Sequence, residues 1–117
     1  MTKKGKITTS HEEEDTTVVQ FLVARLNEYD LAEQFGRELK GLLDRRGAGR
    51  IVLDCTDLDY AISEVFCSLI EAANRLKRAG GSMVTCNLNP FLRDVYTTMR
   101  LDALIPVYGS LDEALQR

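Results

Sequence analysis

The sequence predicts a single α/β layered domain, with helices packed on a sheet whose inner strands run parallel. Three observations lead there. Short β-branched or apolar runs alternate with longer amphipathic segments after a leading strand or hairpin. One of those runs, Ile51-Val-Leu-Asp-Cys55, is too continuously apolar for a one-sided sheet and suits a central strand covered on both faces. Glycines and an Asn-Pro step fall where helix ends and starts are due. At 117 residues the chain fits one domain spanning 1–117, a size that buries roughly two-thirds of its unfolded surface.

Residues 1–6 are basic and polar and read as a flexible tail. The segment Ile7 to Glu14 fits a first edge strand, while its Glu12-Glu-Glu-Asp15 run equally fits a solvated turn. Thr16 to Val23 is β-branched and mostly apolar, a strand. Asp30 is placed to cap a helix from Leu31 to about Arg46, with Leu31, Phe35, Leu39, Leu42 and Leu43 on one face; Gly47 to Gly49 stop it.

A second helix is expected from about Glu64 to Ala79, with Phe66, Leu69, Ile70, Ala73 and Leu76 inward. Arg75, Lys77 and Arg78 suit its negative end, and Gly80-Gly81 close it. Ser82 to Asn87 is the next strand. Asn89 and Pro90 then supply a cap and a first-turn proline for a third helix with the apolar stripe Leu92, Val95, Tyr96 and Met99. Ser110-Leu-Asp-Glu113 is a capping-box pattern for a short last helix.

Charge and composition narrow the function. The chain carries 15 Lys+Arg against 18 Asp+Glu, net −3, which argues against nucleic acid as the main partner, since phosphate binding needs a basic surface. No apolar run approaches membrane-spanning length and the start lacks an apolar signal core, so an intracellular, cytoplasmic protein with no membrane insertion is expected. Three cysteines without a CxxC, Cys55, Cys67 and Cys86, read as reduced core thiols of a cytosolic protein.

The single histidine, His11, precludes a histidine-based triad or metal cluster. No glycine-rich phosphate cradle follows a strand, and no cofactor is expected. Two enzymatic arrangements stay in view. Asp54, Asp57 and Asp59 alternate after a strand in the manner of small Mg²⁺ sites, against which stands a loop shaped by its own carboxylates. Cys67, in the first turns of a helix, is the only nucleophile candidate, against a packing role.

The junction Leu58-Asp-Tyr-Ala-Ile-Ser-Glu-Val-Phe-Cys-Ser-Leu69 sets Ser63 where a helix begins. Together with Ile51-Val-Leu-Asp, the segment Leu69 to Gly81, Val84-Thr-Cys-Asn-Leu-Asn-Pro90, Val95-Tyr96, Leu101-Asp-Ala-Leu104 and Pro106-Val-Tyr108, it resembles the STAS family, the sulphate transporter and anti-sigma factor antagonist domains. The likeness runs from about Val18 to the C-terminus. It implies a STAS-like layered fold with a mixed sheet of four to five strands and about four helices.

The resemblance also implies a mechanism. In free-standing bacterial members, a partner kinase that is also the anti-sigma factor phosphorylates a serine at the start of the second helix. The unmodified antagonist binds that kinase and frees the sigma factor; a phosphatase reverses the modification. The family pattern there is Asp-Ser-Ser/Thr-Gly, and its first serine falls on Ser63. Ile62, Glu64 and Val65 replace the other three residues. Ser63 therefore has two readings, a phosphorylation site or a plain helix cap worth about 1 kcal/mol.

The expected partner surface comprises Asp59, Tyr60, Ile62, Ser63, Glu64, Val65 and Phe66, extended by Asn87, Asn89 and Pro90 at the neighbouring corner. The leading expectation is a regulatory module docking on a kinase-like anti-sigma factor. An accessory STAS subunit of a larger assembly, such as a lipid-transport ATPase, is the alternative, and the small enzyme a third. Pairing into a homodimer is compatible with each.

Overall fold

The computed structural model describes residues 5–47 and 49–116. Strand β1 (Thr8–Glu13) turns back through Glu14 and Asp15 into β2 (Thr16–Phe21), pairing antiparallel with it. The segment from Ile7 to Glu14 is thus an edge strand, and only the end of its acidic run is a turn. Glu14 takes the left-handed conformation there, φ 56°. Glu12 stays in the strand because its charge is met outside the core: it accepts from Thr17 Oγ1 at 2.8 Å and pairs with Arg46 at 3.0 Å. Of the tail expected over 1–6, residues 1–4 lie outside the described residues; Gly5 and Lys6 are exposed.

Next comes β3 (Arg25–Leu26), then α1 (Tyr29–Arg46). The cap position of α1 is Glu28, not Asp30, and no side chain caps it. Extended backbone at Glu28 (φ −131°, ψ 147°) gives way to helix two residues earlier than the sequence suggested. Asp30 lies in the first turn, where the helix dipole favours a carboxylate. The buried face is Ala32, Phe35, Leu39, Leu42 and Leu43, with Leu31 only half-buried.

The chain continues as β4 (Arg50–Asp54), β5 (Tyr60–Ala61), α2 (Ser63–Arg78) and β6 (Ser82–Cys86). It ends with α3 (Pro90–Thr98), α4 (Leu101–Leu104), β7 (Val107–Tyr108) and α5 (Leu111–Leu115). The main sheet has the order β1-β2-β4-β6-β7. Strand β4 pairs parallel with both β2 and β6, as its unbroken apolar run demands. Its alternate residues feed opposite faces. Ile51 and Leu53 enter the large core with α1, α2 and α3, while Val52 joins Val84, Cys86 and Ala114 of α5 on the other side. The result is a mixed five-stranded sheet with five helices among the described residues.

Helix α2 ends in a glycine-dependent stop. Gly80 (φ 88°) donates to Lys77 O at 3.1 Å and Gly81 to Leu76 O at 2.7 Å, satisfying the last carbonyls. A Cβ at Gly81 would collide with the carbonyl of Gly49, so the two loops at this end of the sheet touch backbone to backbone. The short last helix is capped by Ser110, which accepts from Glu113 N at 3.2 Å; Glu113 returns a bond to Gly109 N at 3.0 Å, one residue earlier than a full capping box. Met99 follows α3 as its cap residue and is 40% exposed, so it is not part of the buried stripe.

The small parallel pair β3–β5 was not foreseen; two-residue strands leave no periodicity to read. It governs the site. Ile62 N donates to Leu26 O at 3.0 Å, which keeps the chain extended through Ile62 before α2 begins.

Candidate functional site: the start of α2 and the groove beside it

Because Ile62 is held extended (φ −87°, ψ 169°), it takes the cap position and Ser63 becomes the first residue of α2. No side-chain cap is made. The helix-cap expectation for Ser63 is therefore corrected: its hydroxyl starts one position too late to reach the free N–H groups of the first turn. Ser63 is exposed, and among the described residues its Oγ has no hydrogen-bond partner.

Beside it runs a shallow groove of about 250 Å³ between the β5–α2 junction and α3, lined by Tyr60, Ile62, Ser63, Phe91, Val95 and Met99 with Ala61 and Phe66 at its base. Two residues of the expected partner surface are buried, Phe66 as its place on the inward face of α2 required and Val65 against expectation. Val65 is 1% and Phe66 3% exposed, because on a helix started at Ser63 they fall on the stripe that meets the core. Phe66 packs edge-on against buried Tyr96 (6.3 Å between centroids). Asp59 and Glu64 remain exposed, while Tyr60 and Ile62 are half-buried.

A stack that the sequence did not reveal forms the rim. The Tyr60 ring lies 5.1 Å from that of Phe91, nearly parallel at 22°, and the Arg25 guanidinium sits 4.8 Å from the Tyr60 centroid. Phe91 is 44% exposed. The available signal was an aromatic at an outward position in the first turn of a helix.

The neighbouring corner divides. Asn89 caps α3, accepting from Leu92 N at 2.8 Å, and donates to Asp59 O at 3.0 Å, fastening the two loops together. Pro90 is exposed at the first helical position. Asn87 does not extend the patch. In the left-handed conformation (φ 63°), it turns its amide to Asp54 Oδ1 at 3.0 Å.

Asp54 itself is only 5% exposed. It accepts from Thr56 Oγ1 (2.6 Å), Thr56 N (3.2 Å), Asn87 and, on its second oxygen, Gln20 Nε2 (3.0 Å). Burial pushes its pKa up, but bonds from Thr56, Asn87 and Gln20 together outweigh that, leaving it below the usual aspartate value. Asp57 and Asp59 are exposed, and among the described residues no three His, Cys, Asp or Glu gather to hold an ion. Of the alternating aspartates, it is Asp54 whose side chain holds the loop, through Thr56. Cys55 and Cys86 are buried as expected of core thiols, but Cys67 is exposed on α2, which corrects the packing role expected for it. Burial and the nearby Asp54 push the Cys86 thiol up to about 12, so it stays protonated.

Comparison with known proteins agrees with this architecture. The family model for the STAS domain matches residues 12–114. A protein of Bordetella bronchiseptica named "Putative anti-sigma factor antagonist BtrV" is 34% identical over 83 residues, 71% of each chain. An anti-sigma-factor antagonist (STAS) domain protein from Planctomyces limnophilus superposes with a TM-score of 0.85 at 21% identity, covering 97% of this chain and 98% of the other. The phosphorylated form of SpoIIAA, a Bacillus cell fate determinant, superposes with a TM-score of 0.71 at 17% identity, covering 94% and 97%. The chain belongs to the STAS family, and its layered α/β fold is that of the free-standing members. Among the described residues no helix is long and apolar enough to cross a membrane.

Proposed function

We propose that this protein is a regulatory binding module of the anti-sigma factor antagonist type, not an enzyme, and that Ser63 is its phosphorylation switch. The similarity to the B. bronchiseptica relative supports the class. The observation that carries the switch is the hydroxyl of Ser63: exposed, without an intramolecular hydrogen bond among the described residues, and at the mouth of the apolar groove. The docking face is the groove with Tyr60, Ile62, Phe91 and Met99, flanked by Asp59, Glu64 and Pro90; the partner is a kinase-like anti-sigma factor in the cytoplasm.

A phosphate at a helix start meets the positive end of the dipole, so the domain need not reshape to carry it. A partner seated over the groove meets about −1.5 to −2 new charges in a drying interface. A penalty of about 3 kcal/mol there weakens binding roughly a hundredfold.

The test is purification of the tagged protein from its native cell with mass spectrometry of both the captured partner and the Ser63 peptide. A captured histidine-kinase-fold protein together with phosphate on Ser63 supports the proposal. A transporter ATPase as the partner, or a fully captured kinase with Ser63 never modified, overturns one or both halves of it.

A further inference from the structure

The surroundings of Ser63 are already negative. Asp59 on the loop before β5 and Glu64 in the first turn of α2 are both exposed, and no residue lining the groove is charged. A phosphate there stands next in sequence to a carboxylate, which the end of the helix dipole offsets only in part. The β3–β5 pairing sets a cation, Arg25, on the strand beside this junction. In the β3–β5 pair, Arg25 lies opposite Tyr60 and Leu26 opposite Ala61. Strand spacing and rise then place the Cα of Ser63 roughly 10 Å from that of Arg25. An outstretched arginine and a phosphoseryl side chain close that span between them.

Arg25 is also free to move. It is exposed, forms no ion pair among the described residues, and rests with its guanidinium over the Tyr60 ring. At an exposed position that contact is weaker than a forked, charge-assisted pair with a phosphate dianion. We propose that Arg25 is the residue that receives a phosphate on Ser63, exchanging the Tyr60 ring for the phosphate oxygens. This rests on the reading of Ser63 as the modified residue. Tyr60 also stacks on Phe91, so the exchange carries the modification to the aromatic rim of the groove and does more than add charge.

The test uses the full chain with phosphoserine installed at position 63 by genetic incorporation, which needs no kinase. A phosphate's second ionisation lies near pH 6, and ³¹P NMR follows it directly. With Arg25 beside the phosphate the midpoint is lowered, and Arg25→Gln raises it by about half a unit or more. Arg25→Lys, keeping the charge without the fork, falls between. In the unsubstituted chain, the Arg25 Nε–H and Tyr60 ring signals shift with that same titration, a readout that needs no variant.

Identical phosphate midpoints in the parent chain and the Arg25→Gln variant, or Arg25 and Tyr60 signals indifferent to the phosphate, overturn the proposal. A native protein that never carries phosphate would sink the regulatory reading without altering this measurement, so the two failures are distinguishable.

Discussion

At the end of β4, the carboxylate of Asp54 is enclosed and both of its oxygens are engaged, by Gln20, Thr56 and Asn87. At the start of α2, the hydroxyl of Ser63 faces outward with no partner among the described residues, next to exposed Phe91. The two corners carry the polar residues of this chain that most invite a chemical reading. The first uses its polar atoms to tie the end of β4 to β2, to its own loop and to the turn after β6, and has none left over. The second has an idle hydroxyl and apolar surface that the core does not need. Function in a small α/β domain is better sought where bonding capacity is left unspent than where charges cluster.

The comparison breaks most visibly at Asp54. Replacing it by alanine removes the shared acceptor of half-buried Gln20 and Asn87 and of exposed Thr56 at once, and about 3 kcal/mol of stability should go, read from urea midpoints. Its lowered pKa adds a pH signature. A carboxyl depressed by folding contributes stability above its unfolded pKa and loses it as pH falls through the folded value. Glu38 is depressed likewise: burial raises it, but bonds from Ile7, Gln34 and Thr8 win. Denaturation scans should thus show stability falling below the ordinary values of 4.5 for Glu38 and 3.8 for Asp54. Asp54→Asn should flatten part of that fall.

At the other corner, effects should appear in binding and spare the fold. Ser63→Glu should weaken capture of the partner by up to roughly a hundredfold, measured by titration calorimetry, with stability within about 0.5 kcal/mol of the parent. Phe91→Ala should cost about 1–2 kcal/mol of affinity as an exposed aromatic anchor. The smallest effect sharpens the contrast between serine and true caps. Asn89→Ala should cost about 1 kcal/mol of stability by removing the bond to Leu92 N, whereas Ser63→Ala should cost less than about 0.5 kcal/mol.

Much of this architecture was legible in the chain. Ile51 to Cys55 announced a central parallel strand through its unbroken apolar run, and Asn89-Pro90 announced α3 through cap chemistry that is local by nature. The start of α2 was misjudged by one residue for a non-local reason: the bond from Ile62 to Leu26 comes from a two-residue strand with no pattern of its own. That single step moved Ser63 off the cap. The Arg25–Tyr60–Phe91 stack was hidden because its members lie far apart in sequence and meet only when β3 pairs with β5. Asn87 looked like surface until its left-handed backbone aimed it at Asp54.

The most direct measurement compares capture of the native partner by the parent chain, Ser63→Ala and Ser63→Glu, under identical salt and pH. A switch built on an otherwise idle hydroxyl predicts equal capture by the parent and the alanine variant and strong loss with glutamate. Equal capture by all three, or loss with alanine alone, would contradict it.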